Sequence, residues 1–125
     1  MLKIAHVGYG YWGTNVVRNI AASKKTDLCA IVDMRTERVD AARKAYPSVP
    51  VIGTDIEAIL NDPSIDAVSL AIQTEPSFEV ARAVLNHGKH LFIEKPVAES
   101  AEKAEILSEL ALKTGRILHI DHLML

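Results

Sequence analysis

Apolar runs alternate with helical patterns from one end of the chain to the other. LKIAHV (2–7), DLCAIV (27–32), DAVSLAI (66–72) and HLFIE (90–94) read as strands, as does the stretch from Arg116 to His122. Val51–Ile52 is a short extended piece. Between them, Tyr11 to Ala22 sets Val16, Val17 and Ile20 on one side of a helix. Arg35 to Tyr46 is a second helix that stops before Pro47, because the residue ahead of a proline avoids helical backbone. TDIEAIL opens with a capping box, Thr54 as N-cap and Glu57 three residues on. Pro76 to His87 is helical and closed by Gly88; Ser100 to Thr114 carries the stripe Ala104, Leu107, Ala111, flanked by Ile106 and Leu110, and ends at Gly115.

Short strands separated by helices form a βαβ series, and their continuous apolar runs suit a parallel sheet covered on both faces. Right-handed crossovers then favour a doubly wound sheet. No linker, repeat or low-complexity segment divides the chain, so residues 1–125 read as one domain, long enough to bury roughly two thirds of its unfolded surface. Composition agrees: 49% apolar, 24% charged, net charge −2. No basic stripe points to nucleic acid, and no apolar run nears the roughly 18 residues of a membrane span. The N-terminus lacks an apolar leader with a cleavage site, so the expected location is cytoplasmic. Cys29, the one cysteine, lies in LCAIV and reads as a buried structural thiol.

Candidate chemistry begins at HVGYGYWG, where Gly8, Gly10 and Gly13 stand at G-x-G-x-x-G spacing between a predicted strand and a predicted helix. In that context Gly8 makes the turn, Gly10 lets backbone approach a pyrophosphate, and Gly13 lets the helix lie against the strand. The helix start offers free N–H groups and partial positive charge to phosphates. Asp33, at the end of the second strand and 20 residues after Gly13, is placed to accept hydrogen bonds from an adenosine ribose and to repel the 2′-phosphate of NADP. Arg35 pulls the other way, since it could pair with that phosphate. The expected cofactor is therefore NAD, with NADP possible. The competing reading is a tight turn in an α/β domain that binds another nucleotide, such as coenzyme A, or nothing. Tyr11 and Trp12 join the glycines as cofactor-binding candidates, while Tyr9, Tyr11 and Trp12 equally suit packing against a neighbouring element. The fold class is α/β, a doubly wound, mainly parallel six-stranded Rossmann sheet with helices on both faces.

VGYGYWGTNVVRN and HGKHLFIEKPVAES together resemble the glucose–fructose oxidoreductase / inositol dehydrogenase / MocA (Gfo/Idh/MocA) family, and look most like its nucleotide-sugar 3-dehydrogenase branch. The resemblance covers the whole chain, as the family's N-terminal NAD(P)-binding domain. It implies an oxidoreductase moving hydride between a nicotinamide cofactor and a sugar or nucleotide-sugar alcohol. The lysine of its E-K-P block is catalytic; here that is Lys95, framed by Glu94 and Pro96 at the cofactor. An ammonium beside a sugar hydroxyl favours developing alkoxide character. A solvated lysine before a proline is the plainer alternative.

Two departures stand out. In AIQTEPSFEVARAV, Glu75 replaces the family's usual proline and no histidine follows, which leaves Thr74 and Pro76 as lining candidates in a shortened loop. The family continues into a substrate-binding domain, whereas this chain ends at HIDHLML; the expectation is cofactor binding with little or no turnover. A non-enzymatic nucleotide-binding or self-associating module is the alternative, and a homo-oligomer is possible. His119, Asp121 and His122 would not converge from one strand, so no metal site is expected, and His6 and His90 read as packing residues.

Overall fold

The computed structural model describes residues 1–72, 74–94 and 101–121, and within them the side chains of all but 74–76, 94, 101, 120 and 121. Eleven elements follow one another: β1 (Leu2–Val7), α1 (Tyr11–Ala22), β2 (Thr26–Val32), α2 (Thr36–Ala45), β3 (Val51–Gly53), α3 (Glu57–Leu60), β4 (Ala67–Leu70), α4 (Thr74–Asn86), β5 (His90–Glu94), α5 (Ala101–Thr114) and β6 (Leu118–Asp121). They form a six-stranded sheet in the order β3-β2-β1-β4-β5-β6. Every described pairing is parallel. The chain winds outward from β1 to β3, returns to β4 beside β1, and winds outward again. The order therefore reverses between β1 and β4, the place where open α/β sheets leave a crevice at their carboxyl ends.

Apolar side chains divide between two layers. Ala5 and Val7, with Val68, Leu70, Leu91 and Ile93, pack against α3, α4 and α5 through Ile59, Phe78, Leu85 and Leu107. On the opposite face Leu28 and Ile31 meet Val17 of α1, Ala42 of α2 and Tyr9. Leu28 and Ile31 stand three residues apart yet share a face, which a regular strand forbids. The β1–β2 register slips between Ile4 and Ala5, pairing Ile4 with Leu28 and Ala5 with Ala30, so Cys29 is the extra residue of a bulge. Its thiol is half-buried and 3.3 Å from the Ile4 carbonyl. Burial raises its pKa and keeps it protonated.

Most element boundaries shift by one or two residues from the expectation, and three of the shifts have a clear local cause. α3 starts at Glu57 itself, and the Asp55 carboxylate, not Thr54, accepts the Glu57 N–H at 3.0 Å. The capping box is thus displaced by an Asx turn, which an aspartate forms two residues back along the chain. α4 begins at Thr74 rather than Pro76, since a proline in the first turn gives up no helical hydrogen bond. β4 stops at Leu70, where the chain turns toward α4.

The G-K-H block proves architectural. Gly88 adopts φ +75° after α4. Lys89 is buried, and its ammonium donates to the carbonyls of Asp62 (2.6 Å) and Ile65 (3.1 Å), fastening the start of β5 to the loop ahead of β4. His90 Nδ1 accepts the Ile117 N–H at 3.0 Å, aligning β6. On the α1 side, the amino-terminal half of the sheet stays open over β4 and β5. There Ile4, Val16, Ile20 and Phe92 help to line a cavity of about 590 Å³ that includes no glycine-loop residue. Among the described residues no helix is long and apolar enough to cross a membrane. Replacing Lys89 by methionine keeps the stem, takes the ammonium from the Ile65 carbonyl and leaves the Asp62 carbonyl only the long Ile65 N–H bond (3.3 Å), so urea unfolding should show a loss of about 1–3 kcal/mol.

Candidate functional site

At the carboxyl edge the strand ends lie abreast. Val7 pairs with Val32 and with Leu70, Val32 with Gly53, and Leu70 with Ile93. The glycine loop leaves this edge from the centre of the sheet. Gly8 has φ +100°, and its N–H donates to the Val32 carbonyl at 2.8 Å. A Cβ on Gly8 would run into the Ala71 carbonyl and lie 2.6 Å from Ile72 Cγ2. A Cβ on Gly13 would fall on the Gly8 carbonyl oxygen. Both positions therefore require glycine for packing alone. Gly10 differs: the nearest atoms to its Cβ position belong to the movable guanidinium of Arg38, at 3.1–3.6 Å. Among the described residues the three atoms nearest that position all belong to this one side chain and none to backbone, which fits a position open to the approach of a ligand.

Gly10 is also the N-cap of α1. A glycine there supplies no side-chain cap, and the first turn of the helix holds no acidic residue. The first-turn N–H groups of Tyr11, Trp12 and Gly13 thus face the crevice with the positive end of the helix dipole. An anion seated there meets amides, and the first turn itself brings no carboxylate against it.

Asp33 is buried and already employed. Its Oδ2 accepts the Tyr9 N–H at 2.7 Å, and its Oδ1 accepts the Arg35 N–H at 2.8 Å. Each carboxylate oxygen retains a second lone pair, so it can hold the loop and still accept a ribose hydroxyl. Arg35 gives Asp33 its backbone N–H, and its side chain is exposed. The guanidinium nearest the carboxylate is that of Arg38, with Nη1 3.6 Å from Asp33 Oδ2. Arg38 was not among the residues singled out from sequence. A signal was present, for a cation in the first turn of a helix opposes the helix dipole and so points to another partner.

The aromatic residues separate. Tyr9 is buried in the α1–α2 layer beside Val17 and Ala42, so packing explains it. Tyr11 is 87% exposed and Trp12 40%, their rings parallel with centroids 6.1 Å apart at the mouth of the crevice. His6, expected to pack, is fully buried but also makes two polar contacts: Nε2 lies 2.7 Å from the Gly8 carbonyl oxygen and Nδ1 3.1 Å from Ser69 Oγ.

Thr74 opens α4 and Glu94 closes β5 at the same edge, their side chains being outside the described residues. Lys95 and Pro96 also lie outside them. His119 stacks on Phe92 at 4.8 Å, His122 lies outside the described residues, and among those described no three His, Cys, Asp or Glu residues converge as metal ligands.

This sheet order, glycine loop and acidic strand end define a dinucleotide-binding domain of the Rossmann class. The chain belongs to the Gfo/Idh/MocA oxidoreductase family: the model of its NAD-binding Rossmann fold matches residues 2–122. It is similar to scyllo-inositol 2-dehydrogenase (NADP(+)) IolW of Bacillus subtilis, 29% identical over 97% of this chain and 33% of that protein. Inositol 2-dehydrogenase of Salmonella typhimurium is likewise 29% identical, over 92% of this chain and 34% of its own length. The crystal structure of a probable dehydrogenase from Thermotoga maritima superposes with a TM-score of 0.88 at 28% identity, covering 95% of this chain and 35% of that one. The chain spans about one third of the length of the curated relatives it matches.

Burial pushes the His6 imidazole down from 6.5 to about 4, although the Gly8 carbonyl and the Asp33 charge both pull upward. The unfolded chain therefore takes up a proton between pH 6.5 and 4 that the folded chain refuses. Stability is complete above pH 6.5 and falls as pH drops through this window, by about 2 kcal/mol between pH 7 and pH 4.5. Urea unfolding at the two pH values should show that share of the acid loss in the wild type and not in His6→Gln, which cannot titrate.

Proposed function

We propose that this chain binds NAD(H) across its carboxyl edge as the cofactor half of an oxidoreductase acting on a sugar-like alcohol. The uncapped start of α1 beside Gly10 carries the reading, since backbone amides, a helix dipole and room for backbone approach coincide there. The pyrophosphate would rest on the Tyr11, Trp12 and Gly13 amides. The adenosine ribose would hydrogen-bond to Asp33, and the nicotinamide would extend toward the ends of β4 and β5. The bound nicotinamide supplies the hydride donor or acceptor. For its part the chain binds, orients and shields: Gly8 and Gly13 fix the loop, Asp33 selects the ribose, and Trp12 borders the crevice. Family membership and the inositol dehydrogenases among its relatives support a polyol or sugar substrate.

Lys95 follows Glu94, the last residue of β5, and is proposed to hold positive charge beside the reacting hydroxyl, with Thr74, Glu94 and Pro96 bordering the nicotinamide. Asp33 disfavours a 2′-phosphate, whereas Arg35 and Arg38 offer it counter-charge, so NAD is preferred and NADP admitted. The 125 residues span about one third of the length of the curated relatives, and by themselves they are expected to bind cofactor with little or no turnover.

Titration with NADH, followed through Trp12 emission, should saturate. NADPH should bind more weakly. Asp33→Ala should weaken NADH binding by about tenfold or more and narrow its advantage over NADPH. Lys95→Ala should leave binding unchanged. An emission that NADH leaves untouched, with Asp33→Ala equally silent, contradicts the proposal.

A further inference from the structure

The Gly8–Tyr9 peptide is held at both of its polar ends. Its N–H, on Tyr9, donates to Asp33 Oδ2 at 2.7 Å; its carbonyl oxygen, on Gly8, lies 2.7 Å from His6 Nε2. A carbonyl only accepts, so Nε2 carries the ring proton and Nδ1 is left as an acceptor for the Ser69 hydroxyl, 3.1 Å away. Ser69 faces His6 across the β1–β4 pairing, and both side chains are buried. One tautomer is thereby fixed, and a polar chain runs from Ser69 of β4 through His6 of β1 to the glycine loop.

The carbonyl so held is the one on which α1 closes. Gly13 approaches it too closely for any Cβ, and His6 Nε2 itself lies 3.1 Å from that Cβ position. Gly8, at φ +100°, occupies backbone space where glycine turns freely, so nothing in its own conformation prevents the peptide from rotating. An apolar residue at position 6 would fill the volume and leave the carbonyl buried without a donor.

We infer that His6 is a positioning residue: with Asp33 opposite, it clamps the Gly8–Tyr9 peptide and so fixes the first amides of α1 before any ligand arrives. The inference rests on the proposed NAD(H) site for its functional consequence. Its physical content, a restrained peptide, exists without ligand. Loss of the clamp costs affinity through lost preorganisation rather than through a lost contact with the cofactor.

Three variants separate this from a purely structural role. His6→Phe keeps bulk without a donor, and His6→Gln places an amide N–H where Nε2 stood. Ser69→Ala removes the donor to Nδ1 and leaves the Gly8 carbonyl, which fixes the tautomer, in place. In the ligand-free state, hydrogen exchange at the Tyr9 amide should be slow in the wild type and in His6→Gln and at least about tenfold faster in His6→Phe. NADH should bind His6→Phe about tenfold more weakly than wild type, and His6→Gln within about threefold of it. Nitrogen NMR should show a single Nε2-protonated tautomer in the wild type and, because the Gly8 carbonyl still only accepts, in Ser69→Ala as well. Should His6→Phe fail to fold, a single ring tautomer with a slow Tyr9 amide in the wild type and in Ser69→Ala supports the clamp, and a mixed ring or a fast Tyr9 amide in either overturns it. Tyr9 exchange unchanged in His6→Phe, or a wild-type ring of mixed tautomers, overturns the clamp. A wild type that protects Tyr9 yet ignores NADH supports the clamp and sinks the binding proposal instead.

Discussion

Where α1 leaves the sheet it passes so close to the end of β1 that the Gly8 carbonyl occupies the place a side chain on Gly13 would need. This approach brings the positive end of the helix to the point where the strand order reverses. It also buries a carbonyl that must find a donor, and it leaves only Gly8, Tyr9 and Gly10 to connect strand and helix. His6 from below and Asp33 from the side satisfy the two polar ends of the Gly8–Tyr9 peptide in that connection. A dense contact between two glycines thus sets the polar requirements of everything around it. The residues that meet those requirements come from β1, β4 and the end of β2.

Residues that look alike as a motif divide by task. Gly8 and Gly13 are demanded by packing against backbone, whereas the atoms nearest above Gly10 belong to the movable Arg38 guanidinium. Asp33 holds the loop through two backbone N–H groups, so its removal costs order as well as the proposed ribose contact. The block around G-K-H divides likewise: Gly88, Lys89 and His90 fasten β5 to its neighbours, and the E-K-P that follows carries the proposed chemistry. Arg38 sits between these categories. It partners Asp33 and shades Gly10, and its side chain is free enough to yield to a ribose or a phosphate.

Much of the fold was legible in the sequence because it depends on local patterns. LKIAHV, DLCAIV and HLFIE are continuous apolar runs, and the glycine loop lies between a strand and a helix as the pattern required. What stayed hidden depends on partners distant in sequence. The bulge at Cys29, which turns Leu28 and Ile31 to the same face, arises from pairing with β1. Thr54 and Asp55 are both good caps, and only the backbone selects Asp55. His6 is a lone histidine in an apolar run until Ser69 and Gly8 are brought to its two nitrogens. Arg38 was overlooked in favour of Arg35, two residues after the acid, because sequence distance does not reveal which arginine the first turn of α2 directs at the carboxylate.

The central claim is that an anion-binding surface of backbone amides stands preformed at the switch point. Titration of the nitrogen-labelled chain with ADP-ribose, read through amide chemical shifts, tests this directly. The account predicts the largest shifts at Gly10, Tyr11, Trp12 and Gly13, smaller ones near Asp33, and none in α5. Shifts centred on the open face over β4 and β5, or no change at saturating ligand, would contradict it.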